Sequence, residues 1–141
     1  MKNQKAAGTD KQRIRRLLNQ WRDATREGRK DDVLANHAKN VLIFDPIPPF
    51  KYEGAAAYRK SFDAWWPETE SEGKFDFEDL QITAGDEVAY AYGVIVCGGK
   101  KPIGKAFESR VRLTVCLRKL RGKWVITHTH SSMPLGGADE D

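Results

Sequence analysis

Long apolar runs are missing from this 141-residue chain. No stretch approaches the ~20 residues that a membrane-spanning helix needs, so no membrane partner is expected. Cysteine is scarce: Cys97 and Cys116 are the only two. A disulfide-stapled scaffold is excluded, and both thiols read as small core residues, a bridge between them being the disfavoured alternative. The opening Met1-Lys2-Asn3-Gln4-Lys5 holds no apolar stretch of a secretory signal, which makes the cytoplasm the expected compartment. There is no glycine-rich phosphate loop, nucleophile elbow, Cys-x-x-Cys or His-Glu-x-x-His. No cofactor is expected.

A dominant charge is also lacking. The net charge is +4, but it is divided along the chain. Residues 1–30 carry +7, residues 31–99 carry −8, residues 100–123 carry +8 and the remaining tail −3. A nucleic-acid binder would show one unopposed basic face. Alternating segments suit neutralisation within a fold or a dimer, so no nucleic-acid partner is expected.

What is present is clear periodicity. Thr9 and Gln12 form a capping-box signature. Ile14, Leu17, Leu18 and Trp21 follow as one helical stripe, and Gly28 is a natural stop. Asp31 or Asp32 can cap a second short helix reaching His37 or Asn40. Val41 to Asp45 is β-prone and is halted by Pro46, Pro48 and Pro49. A short extended piece, Phe50 to Glu53, precedes a third helix from Ala55 to Trp66, with Tyr58, Phe62, Trp65 and Trp66 as its stripe and Pro67 after it. Strands are expected over Phe75–Thr83, Val88–Cys97, Ala106–Leu120 and Trp124–Ser132, with a hairpin turn at Arg121-Gly122. In the first of these, alternation carries the side of Phe75 and Phe77 on to Asp79. Residues 1–8 and the acidic 135–141 read as flexible ends around a single domain, 9–134. The expected class is α+β: a curved antiparallel sheet packed on three N-terminal helices, with a pocket between the layers.

Three stretches carry a resemblance. They are Phe44-Asp45-Pro46 with Tyr52, Gly54, Tyr58 and Phe62; Gly85-Asp86-Glu87-Val88-Ala89-Tyr90; and Arg112-x-Thr114 with Arg118-Lys119 and Gly122-x-Trp124-x-Ile126-x-His128-x-His130-x-Ser132-x-Pro134. From about Arg13 to Pro134 the chain resembles the nuclear transport factor 2-like superfamily and, within it, SnoaL-like and ketosteroid-isomerase-related small domains. The closing strand is also similar to that of the calcium/calmodulin-dependent kinase association domain. The resemblance implies a cone fold with an internal pocket. It also implies either a proton-transfer isomerase or cyclase acting on a flat apolar organic molecule, or a non-catalytic assembly or ligand-sensing module. Fold alone does not choose between them.

By that resemblance Asp45 corresponds to a general base. Burial beside aromatics would raise its pKa and suit it to proton shuttling. The plain reading of Asp45-Pro46 is a turn initiator whose carboxylate caps backbone N–H groups. The isomerases also place a Tyr on the first helix and a protonated Asp on a late strand. Here those positions fall on Trp21 and on Thr114 or Val115, so the oxyanion pair has no matched replacement. Trp21, Tyr52, Phe62, Trp65, Trp66, Tyr92, Arg112 and His128 are the expected ligand contacts, each aromatic being equally readable as core.

His128 and His130 share a strand face by alternation, and the same count includes Trp124 and Ile126. A two-residue turn would set His128 opposite Val115 and His130 opposite Leu113; an odd-length turn would exchange these neighbours. A metal site needs three or four converging ligands and only this pair is evident, so no metal is expected. A face mixing Trp124, His128 and His130 reads as a homodimer interface, with packing beneath the helices as the alternative.

Overall fold

Thr9 starts the first helix as expected: its hydroxyl accepts the Gln12 N–H at 3.1 Å, and the Gln12 side chain accepts the Thr9 N–H at 2.9 Å. The computed structural model describes residues 8–66, 74–100 and 106–135, with the side chains of Trp65, Lys100, Ala106 and Phe107 outside that description. The flexible ends expected at 1–8 and 135–141 therefore fall almost wholly outside the described residues, as does Pro67.

The elements run α1 (Asp10–Arg26), α2 (Lys30–Val33), β1 (His37–Phe44), β2 (Tyr52–Glu53), α3 (Ala55–Trp65), β3 (Lys74–Ala84), β4 (Val88–Lys100), β5 (Ala106–Leu120) and β6 (Lys123–Ser132). Gly28 closes α1 at φ 71°, with the Arg29 N–H bonded to Ala24 O and the Gly28 N–H to Thr25 O. The second helix is shorter than its sequence suggests. Arg29, not an aspartate, stands at its N-cap, and no side chain caps it. His37 to Asn40 is strand, because His37 is drawn into register with Ile126 and the Ile126 N–H bonds to Asn36 O.

The six strands form one curved, unclosed sheet in the order β2-β1-β6-β5-β4-β3. β1 and β6 run parallel and the other neighbours antiparallel. The core lies between the concave face and the helices: Ile14, Leu17 and Leu18 of α1 pack with Val41, Ile43, Leu113, Val115, Leu117, Trp124 and Ile126. No helix among the described residues is long and apolar enough to cross a membrane.

Two irregularities decide which side chains face the core. In β3, Asp79 and Leu80 together oppose Gly93. Asp79 sits at φ 56° and is exposed, so the inward set passes from Phe75 and Phe77 to Leu80 and Ile82; strict alternation fails at Asp79. A Cβ on Gly93 would stand 3.0 Å from both Glu78 O and Leu80 Cα, so the bulge leaves room only for glycine.

Of the two turn lengths left open for the hairpin before β6, the structure takes the two-residue one, with Leu120 paired to Lys123 and Leu117 to Ile126. The next pairing, however, is Cys116 with His128. Thr127 is the extra residue, and its hydroxyl bonds to Cys116 O at 3.2 Å. Trp124 and Ile126 therefore face the core with Thr129, while His128 and His130 turn to the convex face opposite Cys116 and Thr114. The expected grouping of Trp124 with the two histidines is corrected by that one residue. Trp124 is buried, its indole N–H donating to Asp10 at 3.0 Å, which ties the start of α1 to the hairpin.

Candidate functional site

Between the concave sheet and the three helices lies a cavity of about 100 Å³. α1 contributes Trp21 and Thr25, α2 Val33, and α3 Tyr58 and Phe62, with Trp66 just past its end. The sheet contributes His37 and Ile43 from β1, Phe75 from β3, Ile95 from β4, and Thr129 and Ser131 from β6. Asp45, the residue following β1, completes the wall.

Alternation along β1 explains why Asp45 is there. Val41 and Ile43 are buried on the concave face, and Asp45 continues that set one step past the strand end. The Tyr58 hydroxyl donates to Asp45 Oδ2 at 2.9 Å. The other carboxylate oxygen has no hydrogen-bond partner among the described residues. Burial raises the Asp45 pKa, and the Tyr58 hydrogen bond offsets this only in part. Tyr58 is shifted upward as well, first by burial and then by the neighbouring carboxylate, so the shared proton stays on the phenol. Tyr58 is held by aromatic edges, with Tyr52 at 4.9 Å and Phe62 at 5.2 Å between ring centroids, and Phe62 in turn meets Trp66 at 5.0 Å.

At the other end of β1, His37 stands edge-on to Trp21 at 5.6 Å. Its Nδ1 is buried and has no hydrogen-bond partner among the described residues. Burial pushes its pKa down to about 4, so the ring is neutral near pH 7. Trp21 also contacts Phe75 and Phe77, which fixes the indole as the floor of the cavity. Chemically the cavity offers a carboxyl group with an elevated pKa, a neutral imidazole, two hydroxyls from β6 and a largely aromatic surround. Among the described residues no Lys or Arg lines it.

The expected contact residues separate into two groups. Asp45, Trp21, Phe62 and Trp66 line the cavity. Tyr52 packs behind Tyr58 rather than on the wall. Trp65 falls outside the described side chains. Tyr92, Arg112 and His128 lie on the convex face, because Tyr92 pairs with Thr114, Arg112 follows the parity of Thr114, and Thr127 turns His128 outward. There Arg112 donates to Ser132 Oγ at 3.1 Å, and the His128 Nδ1–H donates to Leu42 O at 2.7 Å.

The sequence reading missed His37, which it assigned to a helix end, and Tyr58 as the partner of Asp45. The signal for Tyr58 was its place one helical turn before Phe62 on the inward stripe. No local signal marked His37. Among the described residues no three His, Cys, Asp or Glu side chains group as metal ligands.

The convex face has a character of its own. Tyr90 and Tyr92 are 47% and 51% exposed and stack 6.3 Å apart, nearly parallel. Beside them across the sheet stand Cys116 and Thr114, then His128 and His130 with Phe44 edge-on to both.

Residues 14–136 match the family model of the SnoaL-like domain. No curated protein shows significant similarity to the chain. Among solved structures, an NTF2-like protein of unknown function from Pseudomonas putida KT2440 is 25% identical with a TM-score of 0.80, covering 94% of this chain and 90% of that one. The association domain of C. elegans CaMKII superposes with a TM-score of 0.73 at 19% identity, over 87% of this chain and 95% of that one. A candidate ketosteroid isomerase from Shewanella frigidimarina NCIMB 400 gives 0.66 at 23% identity, over 83% and 92%.

Proposed function

The chain belongs to the SnoaL-like domain family, and from that premise we propose that it binds a small organic molecule in the cavity and transforms it by proton transfer, with Asp45 as the acid/base. The single observation behind this reading is the Asp45 carboxyl in the aromatic cavity wall, one oxygen taken by Tyr58 and its pKa raised by burial. A carboxylate whose affinity for a proton is raised toward neutrality is a better base than one in water. Tyr58 orients the group while leaving the second oxygen for a ligand. Trp21, Phe62 and Trp66 would stack on a flat molecule.

The protein would act as a homodimer. The proposed interface is the convex sheet face with His128 and His130, joined by Phe44, Tyr90 and Tyr92 in place of Trp124. Exposed stacked tyrosines beside a Phe and two His have the aromatic enrichment of an interface core.

A second reading has its own support. The convex aromatic face and the similarity to the CaMKII association domain favour an assembly module whose cavity is regulatory or vestigial. Native mass spectrometry of the freshly purified protein tests both. A dimer carrying a small organic mass is the expected result. A ligand-free ring larger than a dimer would overturn the catalytic reading in favour of assembly.

A further inference from the structure

A buried imidazole nitrogen with nothing to bond to is costly, because it has given up water without receiving a partner. His37 Nδ1 is in that state, on the wall of the same cavity as Asp45. The edge contact with Trp21 accounts for the packing of the ring but not for its nitrogen. The two polar groups sit at opposite ends of one strand. β1 pairs His37 with Ile126 and pairs Phe44, the neighbour of Asp45, with His130. Those four steps of β6, with a fifth to reach Asp45, at ~3.3 Å each, put the two levels at most about 17 Å apart. Both residues line the same cavity, so one occupant can meet both.

We propose that His37 is a ligand-contacting residue of this cavity, and that the occupant is a molecule without negative charge, about the size of one substituted ring, with one polar group toward Asp45 and another toward His37. This rests on the reading of the cavity as a ligand site. Size follows from volume: about 100 Å³ is below the ~300–1,000 Å³ of sites that enclose drug-sized ligands, and nearer to cavities that take a benzene. That excludes full enclosure of a multi-ring steroid or polyketide. Charge follows from the walls. Among the described residues no Lys or Arg lines the cavity to pair an anion.

The test uses three single-ring probes: toluene, p-cresol and 4-hydroxybenzyl alcohol, with none, one and two polar ends. Binding is measured by Trp fluorescence titration, and the His37 ring nitrogens are followed by long-range ¹H–¹⁵N correlation spectra. The expected result is that 4-hydroxybenzyl alcohol binds most tightly and shifts the His37 nitrogen signals. His37→Phe then weakens that probe by about tenfold, as the loss of one hydrogen bond requires, and leaves toluene unchanged. If 4-hydroxybenzyl alcohol saturates the protein without moving the His37 signals, the inference is overturned while the cavity reading stands. That result needs only the native protein, so it holds even where His37→Phe does not fold. If no probe binds at millimolar concentration, the cavity reading itself falls and takes this inference with it.

Discussion

The Tyr58 hydroxyl donates to Asp45 Oδ2 at 2.9 Å across the join between α3 and the end of β1. A helix residue thereby fixes the rotamer of a carboxyl group on the sheet. The bond lowers the Asp45 pKa while burial, the larger effect, raises it. Tyr58→Phe removes the bond and keeps the ring. The expected outcome is a further rise in the Asp45 pKa, read by ¹³C NMR of the carboxyl carbon, with a loss of about 1–2 kcal/mol in urea unfolding.

Asp45→Asn keeps an acceptor for Tyr58 and removes the charge. A folded-state pKa raised above the ordinary value of 3.8 means that folding favours the protonated form. The stability Asp45 contributes is therefore present at low pH and lost as pH rises from that value through the folded pKa. Asp45→Asn should raise the unfolding midpoint at pH 7, and the advantage should shrink as pH falls toward 4. If Asp45 is the acid/base, turnover is lost while this extra stability is gained. A variant less stable than the wild type at pH 7 would contradict the burial argument.

His37 acts in the opposite sense. Its pKa falls from 6.5 to about 4 on folding, so between those values the unfolded chain binds more protons and acid destabilises the fold. The loss between pH 6.5 and pH 4 amounts to at most about 3 kcal/mol. His37→Phe should flatten this limb of the stability–pH curve, measured by thermal unfolding at a series of pH values.

The convex and concave faces of the sheet should respond differently to substitution. Tyr92→Glu places a charge among exposed stacked rings and should dissociate the proposed dimer in sedimentation velocity without lowering monomer stability. Trp124→Ala should leave assembly intact and cost about 3–5 kcal/mol, because it empties a buried site beneath α1. A wild-type monomer at micromolar concentration would remove the interface proposal.

Gly93→Ala tests the β3 bulge. A Cβ there meets backbone atoms of Glu78 and Leu80 at 3.0 Å, and backbone cannot move aside as a side-chain tip can. The expected cost is about 1–3 kcal/mol.

The architecture was legible because its signals are local. The Thr9–Gln12 box, the Ile14–Trp21 stripe, Gly28 and the position of the hairpin turn at Arg121-Gly122 each depend on a few neighbouring residues, and each stands where it was read. The errors arose where partner strands decide. Helix propensity around Asp31–Asn40 was overridden by the pairing of His37 with Ile126. Counting by twos failed at Asp79 and Thr127, because a bulge is a property of two strands and neither strand marks it alone. Of the site, Asp45 could be singled out from its strand end and proline. His37 could not, since its place on the wall depends on a strand almost ninety positions away.

Thr127 works like a frameshift. Everything on β6 before it is read in one phase, and everything after it in the other. The two hydroxyls at the cavity, Thr129 and Ser131, and the two imidazoles on the outside, His128 and His130, owe their sides to the same single residue. Deleting Thr127 would close the bulge and leave both sets on their present sides, whereas a regular ladder that kept Thr127 paired with Cys116 would exchange them, placing histidines inside and hydroxyls outside. The inner and outer surfaces of this strand are thus written as one interleaved message, and neither can be shifted in phase without rewriting the other.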